Sequence, residues 1–218
     1  TETMRTAVIS LIYKKKGDRA SWENYRPISV GAAEYKIMTK TLQLAVADVI
    51  HHVVSPQQYG FQQGKYIGEA IALASLTASL CSLQRRPGLL LLHDGKMAYD
   101  RVQWTWLQEV LEAMGFPASF RELIAFTFTD LQSRVKVNGV HSQPFSLQNS
   151  VKQGCPLAPY LYILSLQPLL DTLEACPTFK GIAVPARRSD DEDDELRISA
   201  YADDLAIYLS GYGSLIPL

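Results

Sequence analysis

Two adjacent aspartates, Asp203 and Asp204, lie near the end of the chain between two apolar, strand-like segments. The first segment covers about residues 197–202 and the second covers residues 205–209. Neighbouring carboxylates repel each other, and burying them is costly unless a cation neutralises them. This pair therefore restricts the chain to a fold in which the hairpin either turns into water or binds a cation. The segment alone leaves both alternatives open.

A third carboxylate, Asp94, closely follows the four leucines at residues 89–92. A short continuous apolar run is typical of a strand that is buried on both faces. A carboxylate at the carboxyl end of a central strand is well placed to bind a ligand, and the alternative is that it caps a helix. The two acidic sites together favour Mg²⁺, which prefers oxygen ligands and leaves positions open for substrate phosphates. Two such ions can promote phosphoryl transfer.

The rest of the chain mixes the periodicities of strands and helices. Alternating apolar residues predict strands at residues 7–13, 25–30, 135–137, 197–202 and 205–209. Helical spacing predicts helices at residues 35–49, 67–81, 104–114 and 120–131, and from about residue 159. Asn138-Gly139 is the strongest hairpin signal. No repeat or long linker divides the sequence, so we expect an α+β fold with helices packed against a small, largely antiparallel sheet.

The net charge of -1 hides an uneven distribution of charge. Residues 190–195 are six acids in a row, which is typical of a solvated loop. Without this run 16 acids remain against 21 bases, and residues 1–40 alone hold eight bases and four acids. The rest of the chain is therefore mildly basic, which permits a phosphate-rich partner without requiring one.

Several residues are of the types that bind nucleotides. The cations that can hold a triphosphate are Lys14, Lys15, Lys16 and Arg26. For the lysines the alternative is a solvated basic turn. Gln153 and Gly154 place a polar side chain beside a backbone that can approach a ligand closely.

Composition excludes some other classes of protein. Hydrophobic residues make up 47% of the chain and charged residues 20%, which excludes a wholly disordered protein. The apolar stretch at residues 161–170 is interrupted by Gln167 and Pro168, so we expect no membrane-spanning helix and no membrane partner. The first residues lack a signal-peptide pattern, and the three cysteines lack metal-ligand spacing. We therefore expect reduced thiols and an intracellular location.

An ordered set of motifs resembles the reverse transcriptase of non-LTR (LINE-type) retrotransposons. The sequence YADD at residues 201–204 looks like the YxDD box of that family, and QYGF at residues 58–61 looks like its Q-x-G-F motif. Other matching segments are KKKGD at 14–18, NYRPIS at 24–29, residues 94–102, VNG at 137–139 and KQGCPLAP at 152–159. These matches cover nearly the whole chain, and their common order makes them far more specific than one motif alone.

The resemblance implies a right-hand polymerase fold for residues 1–218. Residues from about 1 to 88 would be mainly fingers, and residues from about 89 to 218 would be mainly palm, with a small antiparallel palm sheet packed on helices. The family continues beyond the acidic box with more palm and a thumb, so we expect the thumb to be missing here. We also expect such a fragment to be weak or inactive alone, and the family suggests action in the nucleus.

The resemblance further implies an RNA-directed DNA polymerase, a nucleotidyltransferase. Its partners would be an RNA template, a DNA primer and a dNTP, and the primer 3′-OH would attack the α-phosphate and release pyrophosphate. Asp94 and Asp203 would be the catalytic carboxylates and principal Mg²⁺ ligands, with Asp204 as an accessory ligand. Mn²⁺ would be the substitute metal.

The same resemblance assigns the substrate-binding residues. Tyr99 would lie beneath the incoming sugar and hinder a 2′-hydroxyl, and its alternative role is that of a core aromatic. Arg26 and one of the lysines at residues 14–16 would grip the triphosphate. Gln153 and Gly154 would line the nucleotide and template side.

Three positions depart from the pattern of the family. Met97 stands where Lys is usual, His93 where an apolar residue is usual, and Tyr13 where Pro is common. None of these departures removes a predicted metal ligand. They leave open a second class of function, a retroelement remnant that acts at most as a nucleic-acid-binding module. A third alternative is a group II intron-type or host-adopted reverse transcriptase.

Overall fold

The structure is a computed structural model, which describes residues 2–152, 154–178, 180–185 and 194–214. The strands are β1 Thr6–Tyr13, β2 Tyr25–Val30, β3 Leu89–Asp94, β4 Gln132–Val137, β5 Val140–His141, β6 Phe145–Ser146, β7 Ile182–Val184, β8 Asp194–Leu196, β9 Ile198–Tyr201 and β10 Asp204–Leu209. The helices are α1 Glu2–Arg5, α2 Ala33–Ala47, α3 Ile50–Val53, α4 Ile67–Gln84, α5 Trp104–Ala113, α6 Ala118–Phe128 and α7 Ala158–Ala175.

Local sequence signals correctly predicted most of these elements. The hairpin between β4 and β5 has Asn138 at φ +49° and Gly139 at φ +83°, which is the conformation that Asn-Gly favours in a two-residue turn. Helix α5 ends at Ala113, shortly before Gly115 at φ +80°. A glycine in this conformation is a common helix terminator because it has no Cβ to clash. The predicted α+β composition is confirmed.

The chain forms two compact units that alternate along the sequence. The first unit comprises Thr1–Val49 and Met97–Ser165, and the second comprises Ile50–Lys96 and Leu166–Leu218. The later boundary falls inside α7. Because the units alternate, neither coincides with residues 1–88 or 89–218, and the division into fingers and palm stays a prediction.

The first unit contains a five-stranded sheet in the order β2-β1-β4-β5, with β6 also paired to β4. Its central pair, β1 with β4, is parallel, whereas the other pairs are antiparallel. Helices α5 and α6 contact each other and contribute buried apolar side chains, among them Leu107, Leu111 and Ile124. The predicted largely antiparallel pairing is confirmed, and the parallel pair of β1 with β4 was not predicted because pairing between strands distant in sequence leaves no local signal.

The second unit contains the antiparallel three-stranded sheet β3-β10-β9 and the pair β7-β8. A buried apolar cluster joins the three-stranded sheet to the second half of α7. Its members are Leu170, Leu173, Ile198, Ala200, Leu205, Ile207 and Leu209. Side chains alternate between the faces of a strand. The face of β10 that carries residues 205, 207 and 209 is therefore buried, and residues 204, 206 and 208 point to the other face.

The prediction that residues 89–92 form a strand buried on both faces is wrong. Within the described part of the chain β3 is an edge strand with β10 as its one neighbour, so Asp94 ends an edge strand rather than a central one. Leu90 is 41% exposed, Leu91 is 39% exposed and Leu92 is 74% exposed. A continuous apolar run indicates affinity for apolar surroundings, but the packing of the neighbouring elements decides which faces are covered.

The acidic run is only partly within the described residues. Residues 190–193 lie outside them, and Asp194 and Glu195 are exposed residues of β8. For these two residues the predicted solvent exposure is confirmed, but they form a strand with β7 rather than a loop.

Helix α4 is long and apolar enough to cross a membrane by length and composition alone, with a mean hydropathy of 1.3 over 18 residues. Only 6% of the residues of this helix are buried. The sequence-based expectation of no membrane-spanning helix considered the apolar stretch at residues 161–170, and it overlooked α4, a helix in which small residues separate the leucines and isoleucines. The finding is weak support for a membrane span, because core helices of soluble proteins meet the same criteria.

The first unit buries one lysine, Lys152, immediately before the predicted nucleotide-binding residues. Its side-chain ammonium lies 5.5 Å from the centre of the Tyr35 ring, which gives a cation–π contact. Lys152 is 6% exposed, and burial lowers its pKa to about 8, with neighbouring Cys155 acting in the opposite direction. Burial also raises the pKa of Tyr35. The unit therefore bears the cost of a cation with little access to water.

We expect Lys152→Met to stabilise the chain by about 1–3 kcal/mol at pH 7, because it removes a buried charge and keeps the volume. The folded state releases the Lys152 proton above about pH 8, whereas the unfolded chain holds it to about pH 10.4. Between these values the unfolded state binds more protons, so wild-type stability rises with pH and the advantage of the Lys152→Met variant shrinks.

Urea unfolding of both proteins from pH 6 to pH 10 measures this difference. Lys136→Met at an exposed position of β4 is the control and is expected to change stability by less than about 0.5 kcal/mol. A stability advantage of Lys152→Met that grew with pH would contradict the assigned burial.

The apolar cluster beneath the three-stranded sheet predicts that Leu170→Ala destabilises the chain by about 2–5 kcal/mol. The matched change Leu92→Ala, at a residue that is 74% exposed, should cost less than about 1 kcal/mol. The free energy of unfolding from denaturant titration checks both values. Equal losses in the two variants would show that β3 is covered in solution.

Candidate active site

Strand pairing brings the three predicted carboxylates together at one end of the sheet in the second unit. Asp204 of β10 lies directly opposite Asp94 of β3 and, on its other side, opposite Tyr201 of β9. Asp203 lies between Tyr201 and Asp204 in the short turn that joins β9 to β10. Opposite residues of an antiparallel pair have Cβ atoms about 4.5–5.5 Å apart. The alternative that Asp94 caps a helix is excluded, because Asp94 is a strand residue.

The electrostatics of this end of the sheet reflect the repulsion between the carboxylates. The pKa of Asp204 is raised, first by partial burial and then by the charges of Asp203 and Asp94. Like charges directly opposite each other destabilise a strand pair. A cation bound among these groups would offset that repulsion.

The donor set consists of carboxylate oxygens, and this chemistry fits Mg²⁺. Within the described ranges no three Asp, Glu, His or Cys side chains are close enough to form a complete metal site by themselves. Mg²⁺ does not require such a cage, since it is usually held by one or two carboxylates together with water and substrate phosphates. Asp94, Asp203 and Asp204 are the residues that would hold it.

An open groove of about 420 Å³ in the second unit reaches two of these carboxylates. Helix α4 lines one side with Ile71 and Ala74, and the sheet lines the other with Leu92 and Tyr208. Asp94 and Asp204 belong to the same lining. The groove is thus mainly apolar along its length and acidic where the two strands carry the carboxylates.

The turn that carries Asp203 has an unusual backbone conformation. Ala202 is buried and has φ +57°, a value at which the Cβ of an L-residue is strained. Glycine is the usual residue at the first position of a two-residue turn with this conformation. Ala202 is held by the side-chain amide of Gln58, whose Oε1 accepts a hydrogen bond from the Ala202 N–H at 2.9 Å. The sequence identified Gln58 as part of a motif but assigned it no role.

The predicted triphosphate-binding cations belong to the first unit. The Lys14 ammonium donates a hydrogen bond to the Glu23 carbonyl at 2.8 Å, so it closes the loop between β1 and β2. Lys15 has φ +58° in that loop, and Lys15 and Lys16 are both exposed. Arg26 is an exposed residue of β2. The description of the lysines as a basic turn is therefore correct, and their contact with a triphosphate stays a prediction.

Tyr99 is a half-buried residue of the first unit. Its ring stacks on the ring of Tyr162 in α7, with centroids 4.7 Å apart and an angle of 12° between the planes. Its carbonyl accepts a hydrogen bond from the Val151 N–H at 2.9 Å. The ring is thus fixed in orientation by a partner that the sequence did not indicate, while its half-exposed state is compatible with contact to a sugar.

Gly154 has φ +104°, and a Cβ at this position would lie 2.5 Å from the Ser29 carbonyl oxygen of β2. A side chain is therefore excluded by packing within the first unit, whether or not a ligand approaches Gly154. Gln153 lies outside the described residues, and its predicted role in binding the nucleotide is untested.

Comparison with known proteins identifies the family of this chain. The family profile described as "Reverse transcriptase (RNA-dependent DNA polymerase)" matches residues 13–216. Among curated proteins, the chain is 32% identical over 206 residues to "Transposon TX1 uncharacterized 149 kDa protein" from Xenopus laevis, covering 93% of this chain and 15% of that protein. It is 25% identical over 209 residues to the "Retrovirus-related Pol polyprotein from type-1 retrotransposable element R2" from Popillia japonica, covering 93% and 27%.

Solved structures agree at the level of the fold. A telomerase from Candida tropicalis in complex with a fragment of telomeric RNA has a TM-score of 0.62 at 14% identity, covering 100% of this chain and 38% of that chain. An apo telomerase from the same organism, truncated from its C-terminal domain, has a TM-score of 0.58 at 13% identity, covering 98% and 45%. The chain spans only 15% of the length of the first curated relative and 27% of the length of the second. The profile match over residues 13–216 shows that this chain belongs to the reverse transcriptase family.

Proposed function

We propose that this chain supplies the catalytic carboxylates of an RNA-directed DNA polymerase encoded by a LINE-type retrotransposon. The observation that carries the proposal is the strand register that sets Asp94 opposite Asp204 and beside Asp203, in a chain of the reverse transcriptase family. A relative from Drosophila melanogaster, 24% identical over 208 residues, is named "Probable RNA-directed DNA polymerase from transposon BS". We also propose that the protein acts in the nucleus, which only the family resemblance suggests.

The reaction would join a dNTP to a DNA primer on an RNA template. The primer 3′-OH attacks the α-phosphate in line, a new phosphodiester bond forms, and pyrophosphate leaves. Bound Mg²⁺, or Mn²⁺ in its place, supplies activation of the hydroxyl and stabilisation of the leaving oxygen. Asp94 and Asp203 would be its principal ligands, and Asp204 would be the accessory carboxylate.

The proposed contacts to the nucleotide are those that the family resemblance assigns. Arg26 and one of the exposed lysines Lys15 and Lys16 are free to reach phosphate oxygens, whereas Lys14 would first have to give up its bond to the Glu23 carbonyl. Tyr99, held by its stack on Tyr162, would exclude a 2′-hydroxyl. A ring stacked on a neighbouring ring is suited to this task because the stacking contact opposes its displacement when a ribose enters.

We expect Asp203→Asn in the whole protein to lower Mg²⁺-dependent extension of a DNA primer on an RNA template at least about 100-fold, because a neutral amide binds a hard cation poorly. Single-turnover extension with a labelled primer measures the loss. Asp48→Asn, which removes the same charge at an exposed position after α2, is the matched control and should leave extension unchanged.

Full activity of Asp203→Asn would refute the metal role of Asp203. A correctly folded wild-type protein that binds the primer-template but never extends it would instead support the non-catalytic remnant.

We expect Tyr99→Val to raise incorporation of ribonucleotides relative to deoxyribonucleotides about 10-fold or more, since a smaller side chain leaves room for the 2′-hydroxyl. The ratio of kcat/KM for the two sugars is the measurement. Tyr212→Val, at a residue that is 80% exposed, is the control. An unchanged ratio in Tyr99→Val would show that Tyr99 is a packing residue only.

A further inference from the structure

The Gln58 side chain is fully buried and is bonded to the turn that carries Asp203. Its Oε1 accepts one hydrogen bond from the Ala202 N–H at 2.9 Å and another from the Gly60 N–H at 2.8 Å. Its Nε2 donates a longer bond, 3.4 Å, to the Ala202 carbonyl. One amide group therefore contacts both the N–H and the carbonyl of Ala202.

The orientation of this amide follows from its surroundings. Two backbone N–H donors, those of Gly60 and Ala202, point at one atom of the Gln58 amide. Only the oxygen can accept two such bonds, because the amide nitrogen has no acceptor capacity. The nitrogen is then left to face the Ala202 carbonyl, which needs a donor.

Gly60 makes the close approach of the turn possible. A Cβ at Gly60 would collide with the backbone nitrogen of Ala202, and its next neighbours would include Oε1 of Gln58 at 3.0 Å. Both residues of the Q-x-G pattern therefore contact the Ala202 backbone. The Gln58 side chain bonds to it, and Gly60 leaves the space that it occupies.

The segment that carries Gln58 is itself tied to the sheet and to its own loop. The Ala200 N–H donates to the Gln57 carbonyl at 2.9 Å, and the Tyr59 N–H donates to the Ala200 carbonyl at 2.7 Å. The Gln58 carbonyl accepts bonds from Nε2 of Gln62 at 2.5 Å and from the ammonium of Lys65 at 3.1 Å. Gln58 therefore acts from a fixed support.

We propose that Gln58 and Gly60 are positioning residues for the acidic turn, because together they hold Ala202 in its left-handed conformation and so set where Asp203 lies relative to Asp94 and Asp204. A non-glycine residue in such a conformation persists only when its neighbours impose it. Here the imposed conformation belongs to the residue directly before Asp203. That the held carboxylate serves metal-dependent polymerisation rests on the function proposed above.

The first test measures the clasp, meaning the bonds from Gln58 to Ala202, without any catalysis. Gln58→Met keeps the length and shape of the side chain but cannot accept the two N–H bonds. Hydrogen–deuterium exchange of the whole protein, read at the Ala202 amide, should be about fivefold or more faster in this variant. Gln57→Met is the matched control, because the Gln57 side chain bonds to Ser55 rather than to the turn. Unchanged exchange in Gln58→Met would refute the clasp.

The second test links the clasp to the carboxylates. Mn²⁺ alone, titrated into the protein and followed by the electron paramagnetic resonance of the free ion, should bind about 10-fold or more weakly to Gln58→Met than to wild type. The half-saturating Mg²⁺ concentration of primer extension should rise by a similar factor while the KM for dNTP stays unchanged. A general loss of folding would instead lower the extension rate without this separation.

Gly60→Ala provides an independent test, since its added Cβ displaces the turn while the Gln58 amide is kept. It should weaken Mn²⁺ binding in the same direction, and wild-type Mn²⁺ affinity in both variants would overturn the proposal. A wild-type protein that shows the clasp and binds Mn²⁺ but extends no primer would count against the polymerase function alone. The experiments therefore distinguish a failure of the proposed function from a failure of the proposed positioning role.

Discussion

Repulsion among carboxylates at the end of the sheet β3-β10-β9 is the constraint on which the second unit depends. Pairing of β3 with β10 sets Asp94 opposite Asp204, and the adjoining turn adds Asp203. These strands would separate at this end if nothing opposed the repulsion. The opposing contributions are the hydrogen bonds of the strand ladders, the apolar cluster on α7 and the bonds that Gln58 makes to the turn.

The alternation of side chains along β10 separates stability from chemistry. Leu205, Ile207 and Leu209 point to the buried cluster with α7, and this burial stabilises the sheet. The opposite face carries Asp204 and Tyr208 toward the groove beside α4. Because a strand has a period of two, a shift of register by one residue would bury the carboxylate and expose the leucines. The core that stabilises the unit thereby also fixes the direction in which its acidic residue points.

Local signals predicted an element well where the residues of one short segment are enough to determine its conformation. Asn138 and Gly139 tolerate positive φ, so they could be assigned to a hairpin turn without knowledge of the partner strands. The interpretation of residues 89–92 failed for the opposite reason. Four leucines report a preference for apolar surroundings, whereas the edge position of β3 depends on which strands of the folded chain pair with it. The parallel pairing of β1 with β4 was likewise beyond any local pattern.

The sequence by itself determined the family, the identity of the three carboxylates and most of the elements that carry them, because these follow from ordered motifs and from local periodicity. It also identified Gln58 and Gly60 as members of a motif, but it assigned them no role. The tertiary structure alone decided that Asp94 meets Asp204, that Tyr99 stacks on Tyr162, and that Gln58 holds the strained backbone of Ala202. Each of these contacts joins residues that are far apart along the chain, and their distance in space is set by packing and strand register, which no short segment contains.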